Sequence, residues 1–280
     1  KNGIGRMVKI LMPMLGFLLI FMVTYAMFNG AFVKALNFLF APDFSNVTSE
    51  TFLSAMGQAY FRLSLGMGSI MAYGAYMPKD QKVVPTSFTV ASLDTLVAML
   101  AGLAIFPIIF AFNLEPNSGP GLVFVSMLSA FNQMQFGQLI GPVFFVLLSI
   151  AALSSSISLL EPGVAYLSEE GYLSRKNSAF AISFFAWLLG LGTALSFNVL
   201  SDFNLTPGRN FLDSMDFIAN QILLPLGGMM IAIFVGWFVK KDLIINEIGY
   251  VNPVIYKLWR FFIKFIAPTS VALIFISQVL

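Results

Sequence analysis

The sequence contains no cysteine and no histidine. The first absence excludes disulfides, thiol catalysis and thiolate metal sites. The second removes the side chain that most readily relays protons or ligates metals near neutral pH. Charge is scarce as well: 10% of the 280 residues are Asp, Glu, Lys or Arg, against about 25% in soluble domains. Because 58% of the residues are hydrophobic, the chain reads as a polytopic membrane protein. No nucleophile–base pair with a matching acid is evident, which argues against an enzyme. A net charge of +2 gives no reason to expect a nucleic-acid partner. The chain opens at Lys1 without methionine or a signal-peptide pattern and enters a hydrophobic run at once. It therefore reads as a piece of a longer protein with spans upstream.

Seven hydrophobic runs have the length of membrane helices, roughly 20 residues or more each. They are Gly5–Phe28, Thr51–Met77, Thr86–Phe112, Leu139–Leu167, Ser178–Phe197, Phe211–Val239 and Pro253–Leu280, read as one transmembrane domain over 1–280. Twelve of the fifteen Lys and Arg fall on one side of these runs: 1, 6, 9, 79, 82, 175, 176, 240, 241, 257, 260 and 264. Lys34 and Arg209 fall on the other, and Arg62 lies inside a run. By the positive-inside rule the basic side is cytoplasmic, which puts Lys1 inside and Leu280 outside a cell membrane crossed several times. Trp237 and Trp259 sit at inner ends, where interfacial anchors belong. The outer connection Asn113–Phe136 is too apolar for a plain linker and is expected to fold back as a lid.

One run is unlike the others. Gln58–Pro78, QAYFRLSLGMGSIMAYGAYMP, carries an arginine, two serines and three glycines. Each glycine costs about 1 kcal/mol against alanine in a helix. Irregular backbone survives at membrane depth only where it is buried in protein or lines a wet cavity. The stretch reads either as a broken helix with exposed amides and carbonyls, or as a glycine-rich helix packed closely on a neighbour.

Arg62 and Asp94 lie about ten and eight residues into consecutive runs of opposite direction, so both fall near the bilayer midplane. Unpaired, each costs roughly 2.5–3.5 kcal/mol there. They form an ion pair or two walls of a hydrated site, in a functional or a purely packing role. Glu161 lies on the inner half of its run and is expected to face an aqueous vestibule. The triplet Ser154-Ser155-Ser156 either bonds back to helix carbonyls or offers hard oxygen ligands to an alkali cation.

The pattern FxLSLGMGxxxxYxxY resembles the neurotransmitter:sodium symporter family, especially its bacterial amino-acid transporters. SLDTLVAMLAGLAIFP, LEPxxGPGLVFV, ALSSSISLLEP and FLDSMDF extend that resemblance along the whole chain. It implies an all-α membrane protein, part of the inverted-repeat leucine-transporter-like fold, here with seven transmembrane helices of which one is broken. In that fold the sites lie at broken helices. The chain corresponds to spans five to eleven, and spans one to four would be missing partners upstream. The implied activity is sodium-coupled import of amino acids or related zwitterions by alternating access; the alternatives are a non-transporting scaffold or truncated pseudotransporter and, more weakly, a channel.

Carried over position by position, the resemblance puts Phe61, Ser64, Gly66 and Met67 on the substrate pocket with Ser155 and Leu159. Ala151, through its carbonyl, with Ser154 and Ser155 matches half of a sodium site. Asp216 matches the outer gate, and Glu169 and Tyr76 the inner one. Asp94 stands where an asparagine commonly binds a first sodium. Its fixed negative charge, with Ala98 one turn on, resembles members that do not require chloride. Arg62 departs from the family, which has a small hydroxyl residue there. A guanidinium at that place would take the cation's position and pair with Asp94. The apolar Phe61, Met67 and Leu159 favour hydrophobic or aromatic substrates.

Overall fold

The structure is a computed structural model that describes residues 2–78, 80–116, 121–196, 198–201, 203–206, 208–249 and 252–279. Lys1, Phe197 and Leu280, and with them the expected sides of the two chain ends, lie outside the described residues. The chain divides into two compact units, Lys1–Asn46 with Val90–Ile157 and Val47–Thr89 with Ser158–Leu280.

In the first unit, α1 (Asn2–Asn29) and the short α2 (Phe32–Phe40) meet at Gly30. A Cβ there would lie 2.6 Å from the Ala26 carbonyl oxygen and 2.8 Å from Pro107 Cβ, so only glycine lets the chain pass. The Ala31 N–H donates to the Pro107 carbonyl over 2.9 Å. The core gathers Met22 and Ala26 of α1, Ala104, Ile108 and Ile109 near the end of the helix Val83–Ala111, and Met127, Ala130 and Phe131. Those last three belong to the 113–136 connection. It folds into a π-helical turn at Leu122–Ser126 and a helix at Met127–Gln133, burying its apolar side. Lys34 holds its ammonium 4.9 Å from the Phe110 ring centroid.

In the second unit, α3 (Ser49–Arg62) and α4 (Ser69–Ala75) are separated by an unwound stretch; α5 (Val83–Ala111) starts in this unit. A further helix, α6 (Met127–Gln133), and most of α7 (Gly137–Glu169) lie in the first unit, and α7 ends in the second. After α8 (Arg175–Leu195) comes a two-stranded antiparallel hairpin, β1 (Asn204–Thr206) and β2 (Arg209–Asn210). Then follow α9 (Phe211–Asp216), a π-helical turn at Phe217–Leu223, α10 (Leu224–Ile233), a second π turn at Phe234–Phe238, and α11 (Lys241–Ile248). The last helix comprises α12 (Pro253–Phe261), a π turn and α13 (Ala267–Val279). Here α10 packs against α13 and α3.

Among the described residues, five helices have the length and composition to cross a membrane: Gly5–Asn29, Val83–Ala111, Gly137–Glu169, Arg175–Leu195 and Phe211–Phe238. Of the other two expected runs, 51–77 is interrupted between Arg62 and Ser69, and 253–279 is helical throughout, with Lys257, Arg260 and Lys264 in its first half.

Candidate functional site

The break starts from a well-anchored helix. Thr48 caps α3 by accepting the Thr51 N–H, and Thr51 returns a bond to the Thr48 N–H, satisfying donors that a helix start otherwise orphans. The regular ladder ends at Arg62. The Leu63 N–H still reaches the Ala59 carbonyl, but those of Ser64 and Leu65 turn to Phe61 and Tyr60 over 3.0 Å each. The chain then enters the left-handed region three times, at Ser64 (φ 51°), Gly66 (φ 92°) and Gly68 (φ 79°). Two of these positions are glycines, for which positive φ carries no Cβ penalty; Ser64 is held there by its surroundings.

The surroundings are backbone. A Cβ on Gly66 would lie 2.5 Å from the Leu224 carbonyl oxygen and 2.6 Å from the Gly228 nitrogen. A Cβ on Gly227 would strike the Gly66 carbonyl oxygen, and one on Gly228 would lie 2.9 Å from the Tyr60 ring. The two sequence readings of 58–78 therefore hold together: the helix is broken, and Gly66 packs tightly on Gly227 and Gly228 of α10. Met67 and Ser64 are half-buried, and Phe61 is exposed.

Beyond the break, α4 is clasped to the C-terminal third of α7. Gly68 faces Pro162, where an added Cβ would lie 3.3 Å from the ring. The Tyr73 hydroxyl donates to Ser158 Oγ over 2.7 Å. Tyr76 joins a charged cluster, hydrogen-bonding with Glu161 and Arg175. One guanidinium nitrogen of Arg175 bonds both Glu161 carboxylate oxygens, at 2.7 and 2.9 Å. Glu161 is 4% exposed and Arg175 41%. This corrects the vestibule reading of Glu161. The carboxylate is buried, and the more exposed partner is Arg175, brought back from the start of α8. A buried carboxylate is tolerable because a guanidinium neutralises it and hydrogen bonds saturate it.

Four residues of this arrangement have no part in the sequence reading of the site: Ser69, Tyr73, Ser158 and Arg175. Arg175 counts there only as an inner-loop charge, and its 14-residue separation from Glu161 hides the pairing. Tyr73 belongs to the family pattern but has no assigned role. Ser69 Oγ is buried and, among the described residues, is the buried side-chain polar atom without a hydrogen-bond partner. Such orphans are rare in folded proteins and mark water, ion or ligand positions.

The other sequence candidates are placed as follows. Glu169 ends α7 and is exposed, as is Leu159. Asp216 ends α9 and accepts from Asn220 Nδ2 over 2.6 Å. In the first unit, the Ser154 hydroxyl donates to the Ala151 carbonyl over 2.8 Å, which is the bond back to a helix carbonyl that the sequence offers as the alternative to a cation ligand. Ser155, one residue on, is exposed. Asp94 is half-buried on α5, and Arg62 is exposed at the last turn of α3. They belong to different units, and their pairing rests on the sequence alone.

A mostly helical architecture with several membrane-length apolar helices, organised on a glycine-packed break, is the class of protein that this geometry defines. The chain belongs to the Sodium:neurotransmitter symporter family, whose model matches residues 2–280. It is 32% identical over 283 residues to the Bacillus subtilis protein named uncharacterized sodium-dependent transporter YhdH, covering 100% of this chain and 62% of that one. An uncharacterized sodium-dependent transporter of Haemophilus influenzae is 34% identical over 279 residues, covering 99% of this chain and 61% of its own. The crystal structure of MhsT in complex with L-phenylalanine is similar with a TM-score of 0.87 and 44% identity, covering 99% of this chain and 63% of that one. The fold is thus part of the leucine-transporter-like architecture, and these relatives are transporters, not enzymes. The chain spans about three fifths of their length.

Proposed function

We propose that this chain forms part of a sodium-coupled symporter that imports hydrophobic or aromatic amino acids by alternating access. The observation that carries the reading is the break at Leu63–Gly68. Two left-handed glycines and a left-handed serine suspend the helical ladder there, so amide and carbonyl dipoles become available to a zwitterion. Phe61, Ser64, Gly66, Met67 and Leu159 line the substrate path, with Ser155 as a further contact. Ala151, Ser154 and Ser155 hold sodium through hard oxygens. Asp94 supplies a fixed negative charge that makes chloride unnecessary, and the resident ion is sodium. Asp216 serves an outer gate, and Tyr76 and Glu169 an inner one. The Tyr76–Glu161–Arg175 cluster supports inner closure, because it joins the second half of the broken helix to the inner ends of α7 and α8. The L-phenylalanine held by MhsT supports the aromatic preference.

The test is uptake of radiolabelled phenylalanine and leucine by the full-length protein in liposomes. Uptake should require an inward sodium gradient and persist when chloride is replaced by gluconate. Ser154→Ala and Ser155→Ala should each raise the sodium concentration for half-maximal uptake several-fold. No gradient-driven uptake by well-folded protein would favour the non-transporting scaffold instead.

Arg62 and Asp94 are proposed to replace the first sodium with an ion pair. Arg62→Thr or Asp94→Asn alone should then lose on the order of 3 kcal/mol of stability through the uncompensated partner. The double variant should recover part of that loss and raise sodium cooperativity. Additive losses with unchanged cooperativity would sink the pairing.

A further inference from the structure

The second unit gathers five cations where the helices 211–238 and 253–279 meet, and their surroundings differ from those of the other basic residues. Arg260 is half-buried. It donates to the Tyr256 hydroxyl over 2.6 Å and to the carbonyls of Gly236 and Val239 over 3.2 and 3.1 Å. It thereby satisfies acceptors that the end of the Phe234–Phe238 turn leaves without helical partners. Lys264 lays its stem on Gly236, where an added Cβ would lie 3.0 Å from its Cγ, and sets its ammonium 4.7 Å from the Trp237 ring centroid. Lys241 places its ammonium 5.7 Å from the Tyr256 ring centroid. Lys240 and Lys257 are exposed beside them.

None of these cations is neutralised within the unit. Among its described residues, the ion pair within 4.0 Å is Arg175–Glu161, and no carboxylate comes that close to the five. The arrangement is also at a definite depth. The helix Pro253–Val279 has 27 residues, about 40 Å at 1.5 Å each, against roughly 30 Å of hydrocarbon. Standing upright, the helix is about seven residues longer than that core. Projection at the basic end, which the charge distribution calls cytoplasmic, brings Lys257 to headgroup level. Lys264 then sits just below, within reach of the same level along its stem. Exposed apolar side chains adjoin the cations, with Phe238 73% and Leu258 57% exposed.

We propose that this corner is a binding site for one anionic phospholipid. Its phosphodiester sits among Lys240, Lys241, Lys257 and Lys264, and its acyl chains lie on Phe238 and Leu258. Free phosphate would use the cations but not the apolar flank, whereas a zwitterionic lipid would use the flank but leave the charge uncompensated. The site is separate from the helix break and does not depend on which substrate is carried.

The test is native mass spectrometry of delipidated full-length protein titrated with phosphatidylglycerol or phosphatidylcholine. The parent should retain one phosphatidylglycerol in preference to phosphatidylcholine. Lys257→Gln with Lys264→Gln should weaken that binding about fivefold per cation removed, and Lys240→Gln with Lys241→Gln should do the same. Lys257→Arg with Lys264→Arg, which keeps the charge, should bind as the parent does and shows that the site rather than the fold is read. Lys9→Gln, a basic residue of the first unit, should leave binding unchanged. Equal losses in Lys9→Gln and in the corner variants would overturn the proposal, as would parent-like binding by both Gln pairs. Thermal stabilisation of the parent by inorganic phosphate equal to that by phosphatidylglycerol would overturn it too.

Discussion

Two stretches of this chain carry residues that disfavour helix, and they respond in opposite ways. The helix α5 runs unbroken from Val83 to Ala111 although Pro107 lies inside it, and α1 likewise contains Pro13. The 58–78 run has no proline before its end at Pro78, yet it unwinds over Leu63–Gly68. A proline removes one backbone hydrogen bond and clashes with one carbonyl, a defect that neighbouring structure absorbs. The break in 58–78 has another origin: three residues adopt positive φ, and the backbone of α10 lies where side chains would stand. A lost hydrogen bond bends a helix, whereas a stretch of left-handed backbone held by close packing ends it.

The comparison is broken most severely at Gly66. Gly66→Ala combines a strained φ with an overlap on backbone that cannot yield, each costing roughly 1–3 kcal/mol. The expected loss is on the order of 4 kcal/mol, the sum of those two effects, read as thermal unfolding in detergent. Gly190→Ala, in α8 with nothing within 4 Å of the added atom, should instead stabilise by up to about 1 kcal/mol. Similar shifts in the two variants would show that the break is not held by packing.

A smaller effect is expected at the charged clasp. Arg175→Ala strands the Glu161 carboxylate in a buried position. The usual cost is about 3–5 kcal/mol, reduced here to about 2–3 because Arg175 is partly in water. Adding Glu161→Gln should restore most of it. If the double variant is as unstable as the sum of the two singles, the pair is not what holds these groups together.

The smallest change is Tyr73→Phe. It removes one neutral hydrogen bond between α4 and α7, worth about 1 kcal/mol. Hydrogen exchange should report faster opening of α4 with α10 unaffected. Equal protection of α4 in the variant and the parent would mean that packing alone holds this helix.

The position of the break is legible in the residues, because the glycines bracketing Met67 weaken the helix at that point and leave room for another backbone to approach. Ser64 as a left-handed residue is not legible, since nothing local favours it over the neighbouring Leu65. The apolar 113–136 connection announces that it must cover something, but its helical form follows from burying Met127, Ala130 and Phe131 together. Glu161 shows the limit most clearly. Its place on the inner half of a span is readable, whereas its burial depends on a guanidinium 14 residues away that no periodicity connects to it.

The sequence by itself determined the class of environment, the helical content and the stretch where the helix fails. These follow from hydrophobic run length, charge asymmetry and glycine content, which act over neighbouring residues. Only the tertiary structure decided which backbone atoms meet at the break, which hydroxyl is left without a partner and which cation neutralises Glu161. Those outcomes depend on contacts between residues remote in the chain, such as Gly66 with Leu224 and Gly228, whose closeness is set by how whole helices pack.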